Sequence, residues 1–173
     1  MIKITGLIIV VIASIFAGGV MANRVKLRVE ELLYVKKLLL MFRGEVAYKN
    51  AMLPDAFLTV GARARAPYNE LFIELAKDTE ENCTKTMSAV FNEALEKYLY
   101  GHTYLKKEDL LKLGELGDTL GYQNQTMQLS NIDLFVDRLE ILIAEEQGKM
   151  NDTMKVYKTM SMMTGLFIAI VLL

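Results

Sequence analysis

The residues able to do chemistry are few and scattered. One histidine, His102, and one cysteine, Cys83, are the whole complement of imidazole and thiol in 173 residues. Neither stands in a spacing such as H-E-x-x-H or paired C-x-x-C that would hold a metal. His102 falls in a turn formed by Tyr100, Gly101, His102 and Thr103, where an exposed imidazole is the plain reading. Cys83 follows Asn82 and reads as a half-buried helix residue rather than a nucleophile. A lone thiol permits no intrachain disulfide framework, which fits a reducing compartment. Gly114, Gly117 and Gly121 in GELGDTLG have the look of a phosphate loop. No Lys-Ser/Thr pair follows them, and Leu110 to Leu120 has helical periodicity, so no phosphate cradle is expected. No catalytic, cofactor-binding or metal-binding residue follows from this inventory. What remains is acidic: Asp78, Glu80 and Glu81 form a solvated helix end. Asp133, Asp137, Glu140, Glu145 and Glu146 form either a solvated face or a docking face for a basic partner.

The elements that carry these residues read as helices throughout, an all-α chain. No tryptophan, two prolines and eleven methionines favour helix over sheet. Leu32, Val35, Leu39, Phe42 and Val46 recur at steps of three and four, the signature of a helical stripe. Leu33, Leu38, Leu40 and Met41 widen it beyond one seam, so this helix is buried on more than one side or meets a partner. Gly44 inside it is expected to mark close packing. Pro54 and Pro67 each open a short helix, with Asp55 suited to the positive end of the helix dipole. A helix over Thr84–Leu99 carries Met87, Val90, Phe91, Ala94, Leu95 and Tyr98. Another over Lys106–Leu120 carries Leu110, Leu113, Leu116 and Leu120 and stops at Gly121. Asn124 or Thr126 caps the last, which shows Ile132, Phe135, Leu139, Leu142 and Ile143. The count is a bundle-like domain of six helices.

Both ends of the chain are apolar. Ile4–Ala22 is nineteen residues without a charge, about the length that crosses roughly 30 Å of hydrocarbon as a helix. Thr159–Leu173 is shorter and reaches only about 22 Å at 1.5 Å per residue, so it would rely on tilt or local thinning. The expected organisation is an N-terminal transmembrane helix over 1–23, a cytoplasmic helical domain over 24–158 and a C-terminal transmembrane helix over 159–173. Arg24, Lys26 and Arg28 follow the first span, and Lys149, Lys155 and Lys158 lead into the second. Basic residues near span ends stay cytoplasmic, which puts the middle inside and both termini outside. The competing reading is a secretory signal cleaved before Asn23, with Val20 and Ala22 as the small residues. The length of the apolar run, its thin n-region and the basic cluster behind it weigh against cleavage. All twenty-one acidic residues and all basic residues but Lys3 lie in the near-neutral middle. That balance argues against a nucleic-acid surface.

Small residues recur every fourth position in both apolar stretches: Ser14, Gly18 and Ala22 in the first, Ser161, Gly165 and Ala169 in the second. Such ladders let helices approach closely in lipid. An antiparallel pairing would set Ala22 by Ser161, Gly18 by Gly165 and Ser14 by Ala169, within one chain or between subunits.

Several segments together resemble the stage III sporulation protein AB family of endospore-forming bacteria. They are Glu45-Val46-Ala47-Tyr48 followed by Leu53-Pro54-Asp55-Ala56-Phe57, then Leu116 to Gly121 with Gln128 downstream, then the ending Lys155 to Leu166. The likeness spans the whole chain, with departures at Ala51 and Met52 (family Thr-Pro), Asn124 (Asp) and Phe91 (near a Trp). The resemblance implies a part of the transenvelope channel complex joining mother cell and forespore, in the mother-cell-derived outer forespore membrane. It implies a soluble part similar to the cytoplasmic domain of the inner-membrane platform proteins of type II secretion and type IV pilus machines. The implied partners are a secretion-type ATPase, other membrane components of the complex, membrane lipid and further copies of the chain, with no nucleic acid and no cofactor. Among the family's recurring residues, Pro54, Gly121, Asn124 and Gln128 read as start, stop, cap and core. Alternatively Tyr48, Asp55, Gly117 and Gln128 surround a groove for the ATPase or a second copy.

The expectation for function is a non-enzymatic membrane scaffold. The alternatives are a membrane-tethered regulatory adaptor that binds a soluble signalling or transcription factor, and a membrane enzyme depending on His102 or Cys83.

Overall fold

The computed structural model describes residues 2–49, 52–81, 85–120 and 125–172. Among them there are six α-helices and no strand: α1 Ile2–Lys49, α2 Leu53–Gly61, α3 Tyr68–Glu81, α4 Met87–Tyr98, α5 Lys107–Thr119 and α6 Gln125–Leu172. The chain divides into two units, one of residues 31–143 and one of residues 1–30 with 144–173. The expected boundaries at 23/24 and 158/159 followed the change in hydropathy. The division by packing falls at 30/31 and 143/144, later than the first and earlier than the second, because residues 24–30 and 144–158, though polar, pack with the chain ends.

The central unit is organised by local periodicity. Leu32, Val35, Leu38, Leu39, Phe42 and Val46 of α1 are buried, as are Ile132, Val136, Leu139 and Ile143 of α6. Between them α2 to α5 pack in sequence order, each helix against the next, and contribute Phe57, Val60, Leu71, Phe72, Leu75, Phe91, Leu95 and Leu116 to one core. Phe42 and Phe57 stack with ring centroids 4.8 Å apart, which adds a specific geometry to ordinary area burial. Short helices need their termini satisfied, and the sequence supplies the means. Pro54 and Asp55 sit in the first turn of α2. The Thr86 hydroxyl accepts the Ala89 N–H at the start of α4. The Asp109 carboxylate accepts the Lys106 N–H at 2.8 Å at the start of α5. Gly101 takes φ +77° in the turn after α4, a conformation that favours glycine.

Residues 62–67 cross from α2 to α3 and are tied to α1. Tyr34 accepts the Arg65 N–H at 2.8 Å, and the Arg65 guanidinium stacks 4.2 Å from its ring centroid. Glu31 takes both the Arg65 guanidinium at 3.1 Å and the Tyr68 hydroxyl at 2.5 Å. The Ala66–Pro67 peptide is cis, and α3 begins at Tyr68, one residue after Pro67.

Three further expectations differ from the fold. A Cβ at Gly44 would meet nothing within 4 Å, so this glycine marks open surface, not close packing. Thr126 lies inside α6, one residue past its start, and so is not its cap. Gly121, Asn124, Asn82 and Cys83 lie outside the described residues. The two apolar stretches are the ends of α1 and α6, continuous with the helices that follow and precede them. Among the described residues no helix is long and apolar enough to cross a membrane, so the flanking transmembrane helices gain no support from the fold. The first of them draws on residues 4, 5, 7, 8 and 10, whose side chains lie outside the described set.

Candidate functional site

Among the described residues no constellation of catalytic type assembles. His102 is exposed in its turn, and among the described residues no group of three His, Cys, Asp or Glu side chains is placed to hold a metal ion. The glycines of α5 have a packing role. A Cβ at Gly117 would lie 2.7 Å from the Phe91 Cβ and 3.2 Å from the Ser88 Cα, and one at Gly114 would strike the Asn92 amide. The two stand three residues apart on one face of α5, and that spacing was the signal, available in the sequence, for a close approach to α4. Asp118 accepts the Ser88 hydroxyl at the same contact.

The five acidic residues considered for docking are divided by the fold. Asp133 is clasped by Arg43, whose Nε and Nη2 both donate to it, the latter at 2.9 Å. Glu140 pairs with Lys36 at 3.0 Å. In the other unit Glu146 accepts from the buried Arg28 guanidinium. These three carboxylates link α6 to α1, and Asp137, Glu140 and Glu145 are exposed. The guanidinium hydrogen bond, and then its charge, hold the Asp133 carboxyl below the usual carboxylate range and raise Arg43 above its own. Glu74 is likewise held low by the Lys97 ammonium that donates to it at 2.6 Å. Burial, and then donation to Glu31, push the Tyr68 phenol well up.

The four residues considered as a groove differ in their exposure. Tyr48 is 87% exposed near the end of α1, whereas Gln128 is buried at 8%. Asp55 is exposed on α2, and Gly117 is sealed against α4. Two clefts among the described residues have other walls. One of about 550 Å³ lies between α4 and α5, lined by Asn92, Leu95, Glu96, Tyr100, Lys107, Leu110 and Leu111. One of about 260 Å³ lies between α5 and α6, with Phe135, Leu139 and Leu142 as floor and Lys112, Glu115 and Arg138 at the rim.

In the unit of the chain ends, the small residues of α1 meet those of α6. A Cβ at Gly18 would land on the Ser161 side chain and 3.0 Å from the Tyr157 carbonyl, and one at Gly165 would lie 2.9 Å from the Ser14 Cβ. Ala22 is buried at 1%. The register is one turn away from the expected one: Gly18 faces Ser161 rather than Gly165, and Ser14 faces Gly165 rather than Ala169. The Ala169 side chain lies outside the described set.

Comparison with known proteins agrees with this architecture. Stage III sporulation protein AB of Bacillus subtilis (strain 168) is 22% identical over 173 residues, which covers all of both chains. A solved structure of stage III sporulation protein AB matches the fold with a TM-score of 0.62 at 20% identity, over 72% of this chain and 96% of that one. The family model for stage III sporulation protein AB matches residues 3–173. The chain therefore belongs to the stage III sporulation protein AB family.

Proposed function

We propose that this sporulation protein is a non-enzymatic membrane scaffold, a platform component of a secretion-like transenvelope channel complex needed for endospore formation, and that it docks a cytoplasmic secretion-type ATPase. The observation that carries the membrane part is the inside-out pattern of the unit formed by the chain ends. Its inner seam is built of small residues, Gly18 against Ser161 and Ser14 against Gly165. Its outside carries large apolar side chains: Ile12 is 61% exposed, Phe16 73%, Met163 70% and Phe167 68%. Water would penalise such a surface. Hydrocarbon would not, and in hydrocarbon helices associate through just such small-residue contacts. The uncharged run Ile4–Ala22 and the basic residues behind it supply the orientation. On this reading the central unit is cytoplasmic, both termini are external, and the membrane is the mother-cell-derived outer forespore membrane.

The scaffold part rests on the central unit, whose charged pairs tie helices together and whose clefts offer apolar floors with charged rims. The test is sided labelling of the full chain in a Cys83→Ser background, with single cysteines at Ile2→Cys, His102→Cys and Leu173→Cys. Labelling of position 102 from the cytoplasmic side alone and of positions 2 and 173 from the other side alone is expected. Position 102 labelled from outside would overturn the proposal. So would failure of the full chain in nanodiscs to retain the secretion-type ATPase of the same complex.

A further inference from the structure

One face of the central unit has a pattern that the core does not explain. On α1, Leu33 and Leu40 are 41% and 47% exposed, and on α6, Leu134 and Ile141 are 54% and 62% exposed. Each pair is seven residues apart, about two helical turns, so each forms a stripe along its helix. Between the members of each stripe stands an exposed charge, Lys37 on α1 and Asp137 on α6. The ion pairs Arg43–Asp133 and Lys36–Glu140 fix the two helices antiparallel and in register. Seven residues along α1 are matched by seven back along α6. Leu33 is therefore about level with Ile143, Lys37 with Leu139 and Leu40 with Val136. Along the helix axis each stripe residue of α1 is thus offset by two residues, or about 3 Å, from the level of its counterpart on α6: Leu33 from Ile141, Lys37 from Asp137, Leu40 from Leu134.

We infer that this face is a docking surface for a second copy of the chain, with α1 of one copy lying on α6 of the other about a two-fold axis parallel to the helices. A constant offset along both stripes is what makes the surface complementary to itself. Under that axis Leu33 meets Ile141 of the second copy, Leu40 meets Leu134 of the second copy, and Lys37 meets Asp137 of the second copy. The same contacts then repeat in reverse, as a closed two-fold interface requires. Opposite charge meets opposite charge at the middle, with apolar contacts on either side. A partner with unrelated sequence would have no reason to match both the spacing and the sign. All six residues belong to the central unit, so this surface is the same whether or not the chain ends enter a membrane.

The test uses the full chain in detergent with Cys83→Ser, prepared as two differently tagged versions, one carrying Leu40→Cys and the other Leu134→Cys. Mixed and mildly oxidised, they should give a crosslinked heterodimer in at least several-fold excess over either homodimer. Lys37→Asp or Asp137→Lys alone should lower its yield about two- to fivefold, as expected for a solvent-exposed ion pair. The two reversals together should restore it, which loss of folding would not do. Absence of the heterodimer, equal yields of all three pairings, or a double reversal no better than the singles would each overturn the inference.

Discussion

At the scale of single residues the glycines separate what the helix backbone prefers from what packing demands. Gly44 and Gly117 both interrupt helices, where glycine costs about 1 kcal/mol relative to alanine. At Gly44 a methyl group would meet nothing within 4 Å, so only the backbone term remains. Gly44→Ala should raise stability by about 0.5–1 kcal/mol. At Gly117 the same methyl would overlap Phe91 and press on the Ser88 backbone, which cannot step aside without moving α4. Gly117→Ala should therefore lower stability by about 1–3 kcal/mol. Gly114 lies between these cases, because its obstacle is the far end of the Asn92 side chain, which can rotate away. Denaturant midpoints of the three variants in the full chain should rank Gly44→Ala above wild type, then Gly114→Ala, then Gly117→Ala. Equal midpoints for Gly44→Ala and Gly117→Ala would show that the α4–α5 contact is not tight.

At the scale of elements, charge sets how helices are joined. Arg43 and Asp133 link α1 to α6, while Lys97 and Glu74 link α4 to α3. Both carboxyls are held below their ordinary range in the fold. A depressed carboxyl pKa favours folding above the unfolded-state value, about 3.9 for Asp and 4.3 for Glu. The contribution disappears as pH falls through the folded value. Asp133 and Glu74 are partly exposed, so the effect is modest. The expected outcome is a fall in stability below about pH 4 that becomes shallower in Asp133→Asn and in Glu74→Gln, measured as melting temperature against pH. An unchanged slope in both would remove these pairs from the account. Cap chemistry acts at the same scale: Asp109→Ala should cost about 0.5–2 kcal/mol through the start of α5. The helices themselves were legible because their signals are local. Leu32, Val35, Leu39, Phe42 and Val46 declare a stripe within fifteen residues of sequence, and all five are buried. The destination of Asp133, Glu140 and Glu146 was not legible, since it depends on which helix lies opposite. For the same reason the sequence could not tell the open Gly44 from the sealed Gly117.

At the scale of the whole molecule, the question is how two apolar ends far apart in sequence come to act as one unit. A ladder of small residues every fourth position identifies the faces that meet but not their register, because sliding by one turn brings small residues opposite small residues again. That degeneracy is why the observed pairing of Gly18 with Ser161, and of Ser14 with Gly165, lies one rung from the pairing read off the sequence. It also makes the contact testable. Position 18 has no room for a side chain: any Cβ meets Ser161 and the Tyr157 carbonyl oxygen, and the latter is backbone. Gly18→Ile should push the two segments apart at a cost of about 1–3 kcal/mol. At Gly19, one residue on, a methyl group would meet nothing within 4 Å, so Gly19→Ile adds the same bulk without the clash. Met21 and Tyr157 line one groove between the segments, which makes Met21→Cys with Tyr157→Cys a reporter in the Cys83→Ser background. Intrachain crosslinking should be efficient with Gly18 or with Gly19→Ile, and should fall severalfold with Gly18→Ile and with Gly165→Ile. Undiminished crosslinking in both would mean that the ends are held together by something other than this seam, and the inside-out pattern that favours a hydrocarbon setting would lose its inner half.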